Sequence, residues 1–175
     1  MTHDQASAEP RDVTRRSYRM AFILFWSILA WALTQRYVVS LGIVTDTSMR
    51  PTLPEGSYVL VNKYLPRLQP PQRGDIVVLK KHPYFEEQYV KRIVGLPGDI
   101  FQIRAGQVHI NGHLFTEAYV TGPTGPDLAP FRLAPQEYFL LGDNRPKSED
   151  SRHYGPVTLR EVDGVVRPGT LLPFR

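Results

Sequence analysis

Two hydrophobic periods divide the chain. Residues 20–33 (MAFILFWSILAWAL) form one apolar run with Ser27 as its only polar member. At 1.5 Å per residue the run covers about 21 Å, short of the roughly 30 Å hydrocarbon core of a bilayer. Continuing through Thr34, Gln35 and Arg36 to Tyr37, Val38 and Val39 brings it to about 30 Å. The polar triplet then lies near the far interface, where Arg36 can snorkel. Three readings compete: a transmembrane helix over 20–39, a cleaved leader, and a buried helix of a soluble protein. The first is the expectation. The small-x-small triplet Ala30-Trp31-Ala32 that a cleaved leader needs lies inside the apolar run instead of after it. Residues 1–19 are polar and carry Arg11, Arg15, Arg16 and Arg19. That basic flank predicts a cytoplasmic N-terminus and places residues 40–175 across the membrane.

From residue 57 the period shortens to two. Residues 57–64 (SYVLVNKY), 75–80 (DIVVLK), 89–94 (YVKRIV), 100–104 (IFQIR), 107–111 (QVHIN) and 137–141 (EYFLL) read as strands. Turn signals separate them: Pro54-Glu55-Gly56, Arg73-Gly74-Asp75, Pro97-Gly98-Asp99 and Asn111-Gly112. Ala105-Gly106 predicts a tight hairpin. Residues 122–130 (GPTGPDLAP) are expected to be an exposed loop. The fold class expected is mostly β: one antiparallel, barrel-like domain after a single N-terminal transmembrane helix.

Composition narrows the chemistry. The chain has 175 residues, 42% hydrophobic and 22% charged, with 13 glycines and 16 prolines. One loop-rich β domain fits these values, and global disorder does not. Cysteine is absent, so there is no disulfide, thiol nucleophile or thiolate metal site. The net charge of +4 gathers partly beside the apolar run, which favours a membrane over nucleic acid as the anionic partner. The histidines, His3, His82, His109, His113 and His153, show no metal-ligand spacing. No metal and no cofactor are expected.

Three segments stand out for catalysis, and each has a bland reading. Ser48 lies in a small polar loop closed by Pro51 and Pro54; alone it reads as a turn serine. Lys91 shares a strand face with Tyr89 and Ile93, opposite Val90, Arg92 and Val94. That setting either desolvates its amine or lets it snorkel to water. Residues 142–152 (GDNRPKSEDSR) read either as a solvated loop or as one tied down by salt bridges and side-chain hydrogen bonds.

Together these segments resemble the bacterial type I signal peptidases, membrane-bound serine–lysine proteases. The family's Ser-Met-x-Pro-Thr-Leu box is matched by Ser48-Met49-Arg50-Pro51-Thr52-Leu53. Residues 73–78 (RGDIVV), 89–99 (YVKRIVGLPGD) and 142–152 match three further boxes, in the family's order. The resemblance runs from the N-terminal anchor to about Gly164. It implies Ser48 as nucleophile, Lys91 as general base and Ser148 as the residue that orients the amine. It implies a structural polar network of Arg92, Asp143, Arg145, Asp150 and Arg152. Met49, Leu53 and Tyr89 become candidate walls of a pocket for small side chains. The implied partners are signal-peptide-bearing preproteins and the lipid bilayer, and the implied location is the cytoplasmic membrane with the catalytic domain outside. One position departs from the pattern. Many members carry a serine two residues before the nucleophile, whose hydroxyl helps bind the oxyanion; this chain has Asp46, with Thr47 beside it. A carboxylate there repels an oxyanion unless it is protonated or turned away.

The chemistry is self-consistent without histidine, cysteine or metal. A free lysine has a pKa of about 10.4, and lowering it by roughly 3 units takes about 4 kcal/mol. Burial can supply that, because desolvation disfavours the ammonium form. Two other classes remain: a self-cleaving serine–lysine regulatory protease, and a non-catalytic β-barrel binding module on a membrane anchor.

Overall fold

The computed structural model describes residues 10–80 and 88–166. His3, His82 and the polar segment before Pro10 lie outside the described residues. Two units are present, one ending at Val38 and one beginning at Val39.

The first unit is one helix, α1 (Pro10–Tyr37). It starts before the apolar run, so the polar residues from Pro10 onward are helical too. Proline suits a first helical turn because its missing N–H has no partner there in any case. Near the other end Thr34 Oγ1 donates back to the Ala30 carbonyl at 2.8 Å, and Arg36 stands in the last turn, where a cation favours the helix dipole. Residues Arg15–Tyr37 are long and apolar enough to cross a membrane, about 34 Å at 1.5 Å per residue. Phe22, Phe25, Trp26 and Trp31 are exposed. Val39, counted above as the end of the anchor, instead opens a strand.

The second unit is antiparallel β structure. A seven-stranded sheet has the order β1-β2-β11-β3-β4-β9-β10. Its strands are β1 (Val39–Ile43), β2 (Tyr58–Asn62), β3 (Ile76–Leu79), β4 (Val90–Gly95), β9 (Glu137–Leu141), β10 (Val157–Thr158) and β11 (Val162–Val166). A four-stranded sheet has the order β7-β6-β5-β8, built from β5 (Ile100–Arg104), β6 (Gln107–Ile110), β7 (His113–Leu114) and β8 (Leu128–Arg132). The six strands read from the sequence are all present. The hairpin expected at Ala105-Gly106 joins β5 to β6, with Arg104 opposite Gln107. Both turn residues have positive φ, 50° and 70°, the geometry that matches the twist of paired strands. One expectation is corrected: Leu128 to Pro130, assigned above to an exposed loop, belong to β8. Pro130 is tolerated there because β8 is an edge strand.

Three apolar cores hold the sheets. The pleat of β3 sends Ile76 and Val78 to one core with Met49, Leu53, Val59 and Val166. It sends Val77 and Leu79 to a second with Ile93, Leu140 and Val165. β4 divides as its alternation predicted, Val90 packing on the first core and Tyr89 and Ile93 joining the second. A third core joins the two sheets through Phe101, Ile103, Leu133, Phe139 and Leu141, with the Phe101 and Phe139 rings 4.1 Å apart. Gly95 lets β4 reach that core. A Cβ there would stand 2.6 Å from Leu133 Cδ1 and 2.8 Å from Phe139 Cβ. β3 and β4 are central and covered on both faces, which buries Lys91.

Candidate active site

The loop between β1 and β2 carries Ser48. It closes on itself through Val44 N–H to Ser57 O at 3.0 Å and Leu53 N–H to Met49 O at 2.9 Å. Met49 and Leu53 anchor it from beneath. Each is 1% exposed, and both pack into the first core. A second loop, after β9, straps it from the side. The Asn144 backbone N–H donates to the Ser48 carbonyl at 2.9 Å, and Asn144 Nδ2 donates to the Thr47 carbonyl at 3.1 Å. The task of Asn144 depends on two loops far apart in the chain, which spacing alone does not reveal. Gly142 is required by the same approach: a Cβ there would fall on Ser148 Oγ and 2.6 Å from the Ser48 carbonyl oxygen.

Lys91, on β4, meets this loop. Its Nζ lies 2.8 Å from Ser48 Oγ, and both residues are 1% exposed. The ring of Tyr89 stands 5.1 Å from the amine, so Tyr89 lines the dyad directly. Burial pushes the Lys91 amine below the ordinary lysine range, against the opposing pull of the Asp46, Asp150 and Glu149 charges. Ser148 is buried nearby but makes no hydrogen bond to the amine. Its Oγ lies near the Asp150 carboxylate, outside hydrogen-bond geometry.

Asp46 is not turned away. Its Oδ1 accepts the Ser48 backbone N–H at 3.1 Å, and its Oδ2 lies 3.6 Å from Lys91 Nζ. Burial pushes this carboxyl up, but hydrogen bonding from Ser48 and the Lys91 charge outweigh it and leave the group below the usual carboxylate range. The side chain is 54% exposed.

The polar residues around the dyad form ion pairs with little access to water. Arg92 grips Asp143 with two bonds, Nε to Oδ1 at 2.8 Å and Nη2 to Oδ2 at 2.6 Å, while its face stacks 3.8 Å from the Tyr119 ring. Arg145 pairs with Glu117 at 2.6 Å and donates to the Gly142 carbonyl. Asp150 accepts from Arg152 at 2.7 Å and from the Gly142 N–H at 3.0 Å. Arg152 also donates to the Thr124 and Ser148 carbonyls. Glu117, Thr52 and Thr124 complete the network; they lie outside the segments that drew attention in the sequence, except Thr52. Among the described residues no cluster of His, Asp and Glu is arranged to hold a metal ion.

An alcohol at hydrogen-bond distance from a dry amine, on a loop held from two sides, is equipped for acyl transfer. With its β-sheet body and this contact between a serine hydroxyl and a lysine amine, the molecule has the outline of a β-sheet hydrolase. The family model described as signal peptidase, peptidase S26, matches residues 17–168, and the chain belongs to that family. It is 34% identical over 133 residues to the probable signal peptidase I-2 of Synechocystis sp., a match spanning 73% of this chain and 61% of that relative. It is 34% identical over 163 residues to the signal peptidase I of Bacillus caldolyticus, spanning 81% and 85% respectively. A crystal structure of a signal peptidase I from Enterococcus faecalis is similar with a TM-score of 0.50 at 32% identity. That similarity covers 57% of this chain and 98% of the other.

Proposed function

We propose that the protein is a membrane-anchored serine endopeptidase that removes signal peptides from exported preproteins. The observation that carries this reading is the 2.8 Å approach of Lys91 Nζ to Ser48 Oγ in a buried setting. The neutral Lys91 amine takes the Ser48 proton as Oγ attacks the scissile carbonyl carbon. The carbonyl oxygen gains the charge and accepts the Ser48 backbone N–H. Collapse breaks the C–N bond, and the ammonium returns its proton to the leaving amine, leaving an acyl ester on Ser48. Water, deprotonated by the same amine, then attacks the ester; the ester C–O bond breaks, the ammonium returns the proton to Ser48 Oγ, and the acid is released. Tyr89 packs beside the amine, and the Arg92, Asp143, Arg145, Asp150 and Arg152 network fixes the loop after β9, which carries Ser148.

Helix α1 anchors the protein in the cytoplasmic membrane, its arginine-rich start on the cytoplasmic side and residues from 40 onward outside. Preproteins held by their own apolar segments then meet the dyad at one surface, which raises the effective concentration. Ser48→Ala and Lys91→Ala tested on a preprotein in detergent micelles are each expected to lower cleavage at least about a thousandfold. Near-wild-type circular dichroism must accompany that loss. Near-normal turnover by either variant would remove the dyad.

A further inference from the structure

Asp46 sits at the reacting atoms and opposes the chemistry twice. The Ser48 N–H is the donor that a developing oxyanion needs, and Asp46 Oδ1 already holds it at 3.1 Å. Two anions cannot share that donor without strong repulsion. The other oxygen, 3.6 Å from Lys91 Nζ, favours the protonated amine, which cannot act as a base. We propose that Asp46 latches the resting site, holding the Ser48 N–H and the Lys91 amine at once, and that an entering peptide releases both by displacing it. The inference rests on the serine–lysine reading above.

Three features fit a latch better than a fixed support. The Asp46 side chain is 54% exposed, so it leaves its place with little loss of packing. The carbonyl of a bound peptide replaces it on the Ser48 N–H, so the donor is never left unpaired. The other charges that face the amine are less free to move or are farther from it. Asp150 is gripped by Arg152 and the Gly142 N–H. Arg92, next in the chain, is committed to Asp143, and Glu149 acts on the amine only through its charge. Asp46 is therefore the adjustable charge. Its departure, with the water excluded by a peptide, lowers the proton affinity of Lys91 only where a substrate lies.

The test uses the full chain in detergent micelles. The substrate is a synthetic peptide spanning a signal-peptide cut, with alanine at the positions one and three before it. The pH dependence of kcat/KM reports the free enzyme, with Asp46 in place, whereas that of kcat reports the complex. The wild type is expected to show a base about one pH unit weaker in acid strength, that is with higher pKa, in kcat/KM than in kcat. Asp46→Asn keeps a hydrogen-bond acceptor but removes the charge. It is expected to lower the kcat/KM value by about one pH unit and to raise the rate on the acid side by roughly tenfold. Coincident wild-type values that the variant does not shift would overturn the latch, as would an Asp46→Asn enzyme slower at every pH despite an unchanged melting temperature. Ser48→Ala and Lys91→Ala run alongside. If they still cleave, the dyad itself fails; if they are silent while the Asp46 profile stays put, only the latch fails.

Discussion

Lys91 is an ionisable side chain placed where its charged form is least welcome. It is buried at the centre of a sheet beside a hydroxyl, and no fully paired carboxylate balances it, since Asp46 is half in solvent. Its folded pKa lies below 10.5, the ordinary value. Between the folded value and 10.5 the unfolded chain binds more protons than the native one, so stability rises with pH through that window. Below the folded value the penalty is fully present and constant. Lys91→Met keeps the length and removes the titration. It is expected to abolish cleavage, to raise stability at neutral pH by about 1–2 kcal/mol, and to flatten the alkaline rise. Urea unfolding at several pH values measures both effects. A destabilised Lys91→Met protein would mean that the amine's contacts outweigh its desolvation. The same titration fixes the sign for activity: acidification protonates the base and cleavage falls.

At the scale of elements, β4 and the loop after β9 are coupled by the bidentate Arg92–Asp143 pair, 6% and 0% exposed. Breaking such a pair on one side strands a buried charge and costs about 3–5 kcal/mol, whereas replacing both partners with apolar groups is far cheaper. Asp143→Ala should therefore unfold at much lower denaturant than the wild type, and the double variant Arg92→Met/Asp143→Leu should recover most of the loss. A double variant no better than Asp143→Ala would show that the hydrogen bonds to Gly74 and Thr52 carry the coupling. How legible each element was follows from how local its cause is. The β5–β6 hairpin was readable because Ala105-Gly106 states its own turn. β11 was not, because Asp163 and Gly164 break its alternation, and it is a strand only through pairing with β2 and β3. β1 was missed because its VSLGI continues the apolar run of the helix without a turn signal. In the site, Ser48 and Lys91 looked ordinary in their own segments. The four boxes in order singled them out, and the sheet order brings them to hydrogen-bond distance. Asn144, Glu117 and Thr124 act through contacts between distant loops, and no local pattern announces such contacts.

At the scale of the whole molecule, the chain joins one apolar helix to a β unit with cores of its own. This division makes separate demands on the two parts. The β unit needs only a peptide in reach, while the helix sets where that peptide is met. Deleting residues 1–38 should therefore affect two substrates unequally. Against a soluble peptide, kcat/KM of the truncated protein is expected to stay within about tenfold of the full chain. Against a preprotein inserted in vesicles, the gain from sharing one surface disappears, and the rate should fall by about a hundredfold or more. Leu41, Ile43 and Leu60 are exposed on β1 and β2, so the truncated protein is assayed with detergent present in the peptide arm and with vesicles alone in the other. Equal losses on both substrates would mean that the helix supports the fold or the dyad. A loss confined to the vesicle-bound substrate assigns it to tethering.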